Sequence, residues 1–499
     1  ETKFKMATDG KNAGPSPYDA YQTSLTTRYC SPEMARLFGQ RSRHSQWRRL
    51  WLLLAESERE LGIQTITTEA LEQMKQHLEV TDQDFEVARV EEKIRRHDVM
   101  AHVHAFGAVA PAAAGIIHYG ATSCFVTDNA ELILMRDAMD LLLPRLAKVV
   151  SNLCKLAREW KATPTLAYTH LQPAQLITVG KRAAQWAQDL VFDLESIEHV
   201  RNGLLLRGAQ GTTGTQASFL EIFGGDGSKC DELNALLCKK TDFPACYDVS
   251  TQTYTRKVDL LVANAICGLG ATAQKIAGDI RHLASWQEAE EPFEDKQVGS
   301  SAMPFKRNPM RSERVSSLAR ELLSKQATTA NTLAAQWMER SLDDSAVRRM
   351  DLPEMFLLAD AIIGSLDNIT DGMVIYPQVI ASRVHQQLPF MCAENIIMKL
   401  TAKGISRQEA HEQIRVLSHQ AARVVKLEGK PNDLIDRIKA TEFFQPIWAD
   451  LDDMLRPELY IGRSIEIVER YCGLEGVAEK KIQRYRAVFE KAETTTLNV

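Results

Sequence analysis

Four short segments carry residue types that plain helix connections do not require. They are His118-Tyr-Gly-Ala-Thr-Ser123, Thr169-His-Leu-Gln-Pro-Ala-Gln175, Gly211-Thr-Thr-Gly-Thr-Gln216 and Gly299-Ser-Ser-Ala-Met-Pro-Phe-Lys-Arg-Asn-Pro309. Each sets hydroxyl groups beside Gly or Pro. The first, second and fourth stand directly before long stretches of helical period. A helix start presents free N–H groups and a partial positive charge. Three such starts brought together would form a pocket for carboxylates or phosphate.

Other chemistries lack their patterns. There is no G-x-x-x-x-G-K-[ST] and no G-x-S-x-G, which argues against a phosphate-binding P-loop and an α/β-hydrolase. Gly268-Leu-Gly270 lies inside a helical pattern and follows no strand, so it is no dinucleotide fingerprint. His97, His102 and His104 cluster, with His97 and His104 on one helix face at i, i+7. No HExxH accompanies them and Asp98 is nearly the sole carboxylate beside them, so no metal site is expected. The alternatives are polar helix histidines, or an anion-facing His97 helped by Arg95, Arg96 and Asp98.

The elements that must position these groups are long helices. Met135, Met139, Leu142, Leu146, Val149, Leu153 and Leu156 alternate steps of four and three, as do Val262, Ile266, Leu269, Ala273, Ile276, Ile280 and Leu283. A third run goes from Leu352 through Met355, Ala359, Ile362 and Leu366 to Ile369. A 3.5-residue period makes a narrow seam that packs on a neighbouring helix at a shallow angle. Asp128 with Glu131 reads as a cap and its N3 glutamate. Pro144 should kink the first helix. Pro173 reads as the first residue of another helix, closing near Gly203. Five helices are expected, over about 128–160, 173–202, 253–286, 309–336 and 343–370. At about 1.5 Å per residue each spans on the order of 40–50 Å.

Strand signals are sparse, so the expected fold is all-α: a central bundle of very long helices flanked by two smaller helical domains. The expected division is 1–122, 123–375 and 376–499, with residues 1–27 and the Thr-rich tail after Glu493 loose. The Glu291–Asn308 connection is long enough to be functional.

Composition sets outer limits. The 499 residues are 44% apolar and 25% charged, which excludes a disordered chain or a small disulfide scaffold. A net charge of −5 gives no global attraction to nucleic acid or anionic membrane. Nine cysteines, an odd number without C-x-x-C, cannot all pair within one chain. No unbroken apolar run reaches the roughly 18 residues of a membrane span. The expectation is a cytoplasmic protein with reduced thiols.

Ser300-Ser-Ala-Met-Pro-Phe-Lys-Arg-Asn-Pro309 resembles the signature loop of the fumarase/aspartase superfamily. Thr169-His170 with Gln172-Pro173, and Gly120-Ala-Thr-Ser123, resemble its other two signatures, in the same chain order. The core Lys306-Arg-Asn308 differs from the Gly-Lys-Val-Asn of fumarases and the Lys-Lys-Asn of argininosuccinate lyases. With Arg96-His-Asp98, Gln252-Thr-Tyr-Thr-Arg256, Met310-Arg-Ser-Glu-Arg314 and Glu339-Arg-Ser-Leu-Asp-Asp-Ser-Ala346, the chain is similar to the animal-type adenylosuccinate lyase branch from about Arg28 to Cys472. Carboxymuconate cycloisomerases share the Lys-Arg-Asn core, and lens proteins of the superfamily are catalytically silent. Arg96-His97-Asp98 with Ser345 and Arg349 favours a nucleotide substrate over the first, and intact His170, Ser300, Lys306 and Asn308 disfavour the second.

The resemblance implies a homotetramer whose active sites draw on three chains, needing no cofactor or metal. It implies elimination of fumarate from a C–N bond in two purine-synthesis substrates, adenylosuccinate and succinylaminoimidazole-carboxamide ribotide. Ser300 is implied as base, His170 as acid for the leaving nitrogen, Glu313 as the carboxylate orienting His170, and Lys306 and Asn308 as ligands of the succinyl carboxylate. A serine hydroxyl is too weak an acid to be the base unaided, so backbone N–H groups and nearby cations must activate it. Arg28, Tyr29, Arg96, His97, Asp98, Thr122, Ser123, Thr169, Gln252, Arg314, Arg340, Ser345 and Arg349 are implied as further substrate-binding residues. Planar arginine forks suit phosphate and carboxylate.

Overall fold

The computed structural model describes residues 19–294, 297 and 302–497. It is 70% helical. Five long helices make its frame: α1 Ser123–Glu159, α2 Val179–Asn202, α3 Lys257–Ser285, α4 Met310–Ala334 and α5 Asp344–Asp371. Every residue named above for the three apolar seams is buried, so the 3.5-residue period does mark the packing faces. The helices close a ring in chain order, α1 on α2, α2 on α3, α3 on α4, α4 on α5 and α5 back on α1, with α3 also touching α5. By length and composition α3 could cross a bilayer, but more than half of its most apolar stretch is buried inside the bundle.

Two helix starts differ from the sequence reading. Thr122 is the extended residue before α1, and Asp128 lies inside the helix, fully buried. An acid followed three residues later by Glu looks like a cap in sequence. Here the same spacing turns a carboxylate inward against Arg256. Pro144 lies within α1 without ending it. Pro173 opens no helix. Residues 164–178 form a hairpin of β1 Pro164–Thr169 and β2 Gln172–Thr178, and α2 begins only after Thr178, whose side chain caps the Lys181 N–H at 3.1 Å.

Chain direction alternates from α1 to α5, so that α5 closes the ring parallel to α1, and this decides where each loop lies. Arg256, one residue before α3, pairs with Asp128 near the start of α1 and with Asp344, the first residue of α5. The starts of α1, α3 and α5 therefore share one end. At the other end, β3 Ala289–Glu290, just past α3, pairs with β4 Val374–Ile375, just past α5. There Glu291 accepts the backbone N–H groups of Arg311 and Ser312 at 3.0 and 2.6 Å, capping α4. The hairpin joins this second end, because Tyr168 stacks on Trp286 at 4.3 Å. The 29 residues of α3 separate the two ends by on the order of 40 Å.

Two large apolar cores and a small cluster of Ala88, Ala101 and Ala105 result among the described residues. One runs from Cys30 to Ile369 and takes in Val468, Cys472, Ala478, Ile482 and Phe489. The other joins Ile380–Ile461 to Leu166, Leu176 and Val179 of the hairpin region. Of the tail after Glu493, residues 494–497 are described and are tied down rather than loose. Thr495 donates its N–H and hydroxyl to Asp367 at 2.9 and 2.8 Å, and its carbonyl accepts from Asn368. Of residues 1–27, the first 18 lie outside the described residues, and Leu25 begins a short helical turn that ends at Tyr29. All nine cysteines are unpaired.

Candidate active site

The first end of the bundle gathers one group of the implied site residues. The Asp82–Arg95 helix ends on Arg96 in a left-handed conformation (φ 56°), and His97 caps the helix Asp98–Val109 that follows. Its Nδ1 accepts the Met100 N–H at 3.3 Å, and its Nε2 lies 3.2 Å from the Ser123 hydroxyl. His97 therefore links two helix starts. Asp98 pairs with Arg349 of α5. Burial raises the Asp98 carboxyl, but the Arg349 guanidinium outweighs it and holds the group below the usual range. Thr122 and Ser123 open α1, with no side-chain cap from Thr122 among the described residues. The Gln252 N–H donates to the Glu339 carbonyl at 3.2 Å. Arg340 reaches Asp344 at 3.3 Å and Cys124 Sγ at 3.4 Å. Ser345 lies in the first turn of α5, half-buried.

The second end holds another group. Thr169 pairs with Gln172 across the hairpin, so His170 and Leu171 form its two-residue turn. Both have positive φ, 53° and 59°, as the tight turn favoured by strand twist requires. Neither is Gly or Asn, so the backbone is held in a costly conformation, a common feature of functional sites. The turn is exposed, with Leu171 at 69%. Lys306 is exposed and Asn308 half-buried just before α4; Glu313 and Arg314 lie in its first turns. The Arg314 guanidinium lies 5.6 Å from the centre of the Tyr29 ring, and Arg28 precedes Tyr29. Ser300 lies outside the described residues. Among those described, His170 makes no hydrogen bond or ion pair with Glu313.

The expected meeting of three helix starts thus does not occur within one chain. The starts of α1 and α4 lie at opposite ends of the bundle, and Thr169–Gln175 makes a hairpin rather than a helix start. Sequence pattern marks a helix start but not its direction in the bundle.

His118 and His102 are structural. His118 Nδ1 accepts from the Trp51 indole at 2.9 Å, and burial pushes its imidazole down to about 4. His102 stacks on His44 at 4.0 Å, and burial takes it down to about 3. His104 faces Glu91 at 3.5 Å.

A buried charge network behind the first end was missed from sequence. Arg256 spans Asp128 at 3.0 Å and Asp344 at 2.7 Å. Arg348 reaches Asp259 at 2.7 Å, the Tyr254 hydroxyl at 2.6 Å and Glu131 at 2.5 Å. Burial raises the Asp128 carboxyl, but Arg256, Arg348 and Arg207 together hold it below its ordinary value. Buried pairs of this kind fix geometry more than they add stability. Here they lock three helix starts behind Thr122, Ser123, Arg340 and Arg349. A cue was the spacing of four between Arg340, Asp344 and Arg348, cation, anion and cation in turn.

Comparison with known proteins gives the family. Residues 27–323 match the family model described as lyase, and residues 389–471 the one described as adenylosuccinate lyase C-terminus. The adenylosuccinate lyase of Saccharomyces cerevisiae is 54% identical, over 91% of this chain and 94% of its own length. The chain belongs to the adenylosuccinate lyase family. The family's Schizosaccharomyces pombe member has the same identity and coverage. The fold is shared more widely. The 3-carboxy-cis,cis-muconate lactonizing enzyme of Pseudomonas putida superposes with a TM-score of 0.79 at 22% identity, covering 93% of this chain and all of that one.

Proposed function

We propose that this lyase eliminates fumarate from adenylosuccinate, giving AMP, and from succinylaminoimidazole-carboxamide ribotide, giving the corresponding carboxamide ribotide. In this reading Ser300 removes the proton from the carbon next to a carboxylate. Lys306 and Asn308 hold that carboxylate as negative charge builds on it. His170 protonates the departing nitrogen, and Glu313 orients the imidazole. The reaction is an anti-elimination by general acid and base. Arg28, Tyr29, Thr169 and Arg314 at the second end, and Arg96, His97, Asp98, Thr122, Ser123, Gln252, Arg340, Ser345 and Arg349 at the first, bind the nucleotide and the second carboxylate.

The observation that carries this reading is the placement of two complementary residue groups at opposite ends of one bundle. Neither is a whole site, and on the order of 40 Å of helix lies between them. A homotetramer whose chains run antiparallel brings the first end of one chain to the second end of another. The exposed hairpin tip of His170 then reaches a neighbour's Ser123 and Arg349. The setting is the cytoplasm, where nine unpaired thiols stay reduced.

The test is fumarate release from adenylosuccinate by the wild type and by His170→Ala. Loss of a general acid is expected to slow turnover by about 10²–10⁴-fold. Full activity in the folded variant contradicts the assignment of the acid.

A further inference from the structure

Arg207 is wholly buried, yet among the described residues no carboxylate lies within ion-pairing distance of it. Its Nη1 donates to the Gly208 carbonyl at 3.2 Å, and its Nη2 to the carbonyls of Gly211 at 2.8 Å and Thr251 at 3.3 Å. Its Nε has no partner among the described residues. Asp128 balances its charge only from beyond ion-pairing distance, and giving every hydrogen bond of a buried guanidinium to neutral carbonyls is costly, at several kcal/mol for an ion out of water. Such an arrangement calls for an account of what the cation holds.

It holds two loops together. Gly208 and Gly211 belong to the glycine-rich turn that ends at Gln216, and Thr251 belongs to the loop before α3. The loops meet at backbone level. A Cβ placed on Gly214 (φ +82°) would lie 1.9 Å from the Ser250 carbonyl oxygen, so only glycine allows this approach. Thr251 directly precedes Gln252. The Gln252 N–H bonds the carbonyl of Glu339, which directly precedes Arg340. One guanidinium thus lies at the head of a short path to two residues of the first end. Its planar fork reaches carbonyls in fixed directions, which the point charge of a lysine cannot reproduce.

We propose that Arg207 is a positioning residue for substrate binding, clamping the glycine-rich turn against residues 250–252 so that Gln252 and Arg340 are set for the nucleotide. The Gly211–Gln216 segment is then the frame of the site. This inference rests on the reading that Gln252 and Arg340 bind substrate.

The test is steady-state kinetics with adenylosuccinate for Arg207→Lys, Gln252→Ala, Arg340→Ala and the Arg207→Lys/Gln252→Ala pair, each with a thermal melt. Arg207→Lys is expected to raise KM about tenfold with kcat within about twofold, the signature of lost uniform binding. Its effect is expected to shrink to about twofold or less on top of Gln252→Ala, because the two act as a unit. A KM increase in Gln252→Ala with a lower melting temperature but unchanged KM in Arg207→Lys overturns the clamp. Unchanged KM in both Gln252→Ala and Arg340→Ala removes the binding reading itself, and the clamp with it. Should Arg207→Lys not fold, Gly211→Ala serves instead. Its Cβ has ordinary contacts at 3.6 Å, and the positive φ alone tilts the carbonyl that Arg207 holds. The same KM increase is expected there, and wild-type KM in that folded variant overturns the proposal.

Discussion

The His97 Nε2 lies 3.2 Å from the Ser123 hydroxyl. Because Nδ1 accepts the Met100 N–H, the neutral ring carries its proton on Nε2 and donates it to Ser123. One imidazole therefore caps one helix and touches the start of another. His97→Ala is expected to cost about 1 kcal/mol of stability through the lost cap and to raise KM. His97→Asn retains a capping side chain but not the reach to Ser123. Its melting temperature should stay near the wild-type value while KM still rises. Melts and steady-state kinetics on both variants check this, and a wild-type KM in His97→Asn would count against the bridge.

The buried histidines set an acid limit on stability. His118 and His44 are each pushed down by burial to about 4, and His102 to about 3. Unfolded imidazoles titrate near 6.5, so below that pH the unfolded chain binds more protons. Stability is complete above about pH 6.5 and is lost as pH falls towards 4. His118→Gln keeps an acceptor for the Trp51 indole and removes one of these titrations. Melting temperatures between pH 7 and 4.5 should fall less steeply in that variant, and an identical slope would remove His118 from the account.

Arg256 is the shared partner of Asp128 and Asp344. Arg256→Met takes the shared cation from two buried carboxylates at the head of three helices, leaving Asp344 to Arg340 and Asp128 to the Tyr254 N–H. Breaking a buried pair from one side costs about 3–5 kcal/mol. Denaturant titration should show that loss, and a change below about 1 kcal/mol would mean the carboxylates find other partners.

The proposed sharing of sites between chains predicts complementation. Arg349→Glu disables the first end, and His170→Ala disables the second. Each variant alone should be nearly inactive. Unfolding and refolding them together should restore activity, because some sites then pair an intact first end with an intact second end. No recovery in mixed tetramers would place each complete site in one chain.

Much of the frame was legible in sequence because the long helices bury narrow seams. Leu269, Ile276 and Leu283 fall where a 3.5-residue period puts them. The hairpin was not legible. Pro173 is as compatible with a strand near a turn as with a helix start, and His170-Leu171 lacks the Gly or Asn that marks a tight turn. Arg28, Tyr29 and Arg314 do come together, as do His97 with Ser123 and Asp98 with Arg349. What no local pattern holds is direction. Ser123 and Met310 both open helices, and only the alternation of the ring sends them to opposite ends. Arg256 and Arg207 were equally hidden, since an arginine's burial depends on residues more than 40 positions away.

The most direct test of the central claim is ultraviolet absorbance of the purified protein mixed with adenylosuccinate, beside Ser300→Ala and His170→Ala. The account predicts loss of the absorbance of the N6-substituted purine with fumarate appearing in step, and near-abolition of both signals in each folded variant. A folded wild-type assembly that leaves the absorbance unchanged would contradict it.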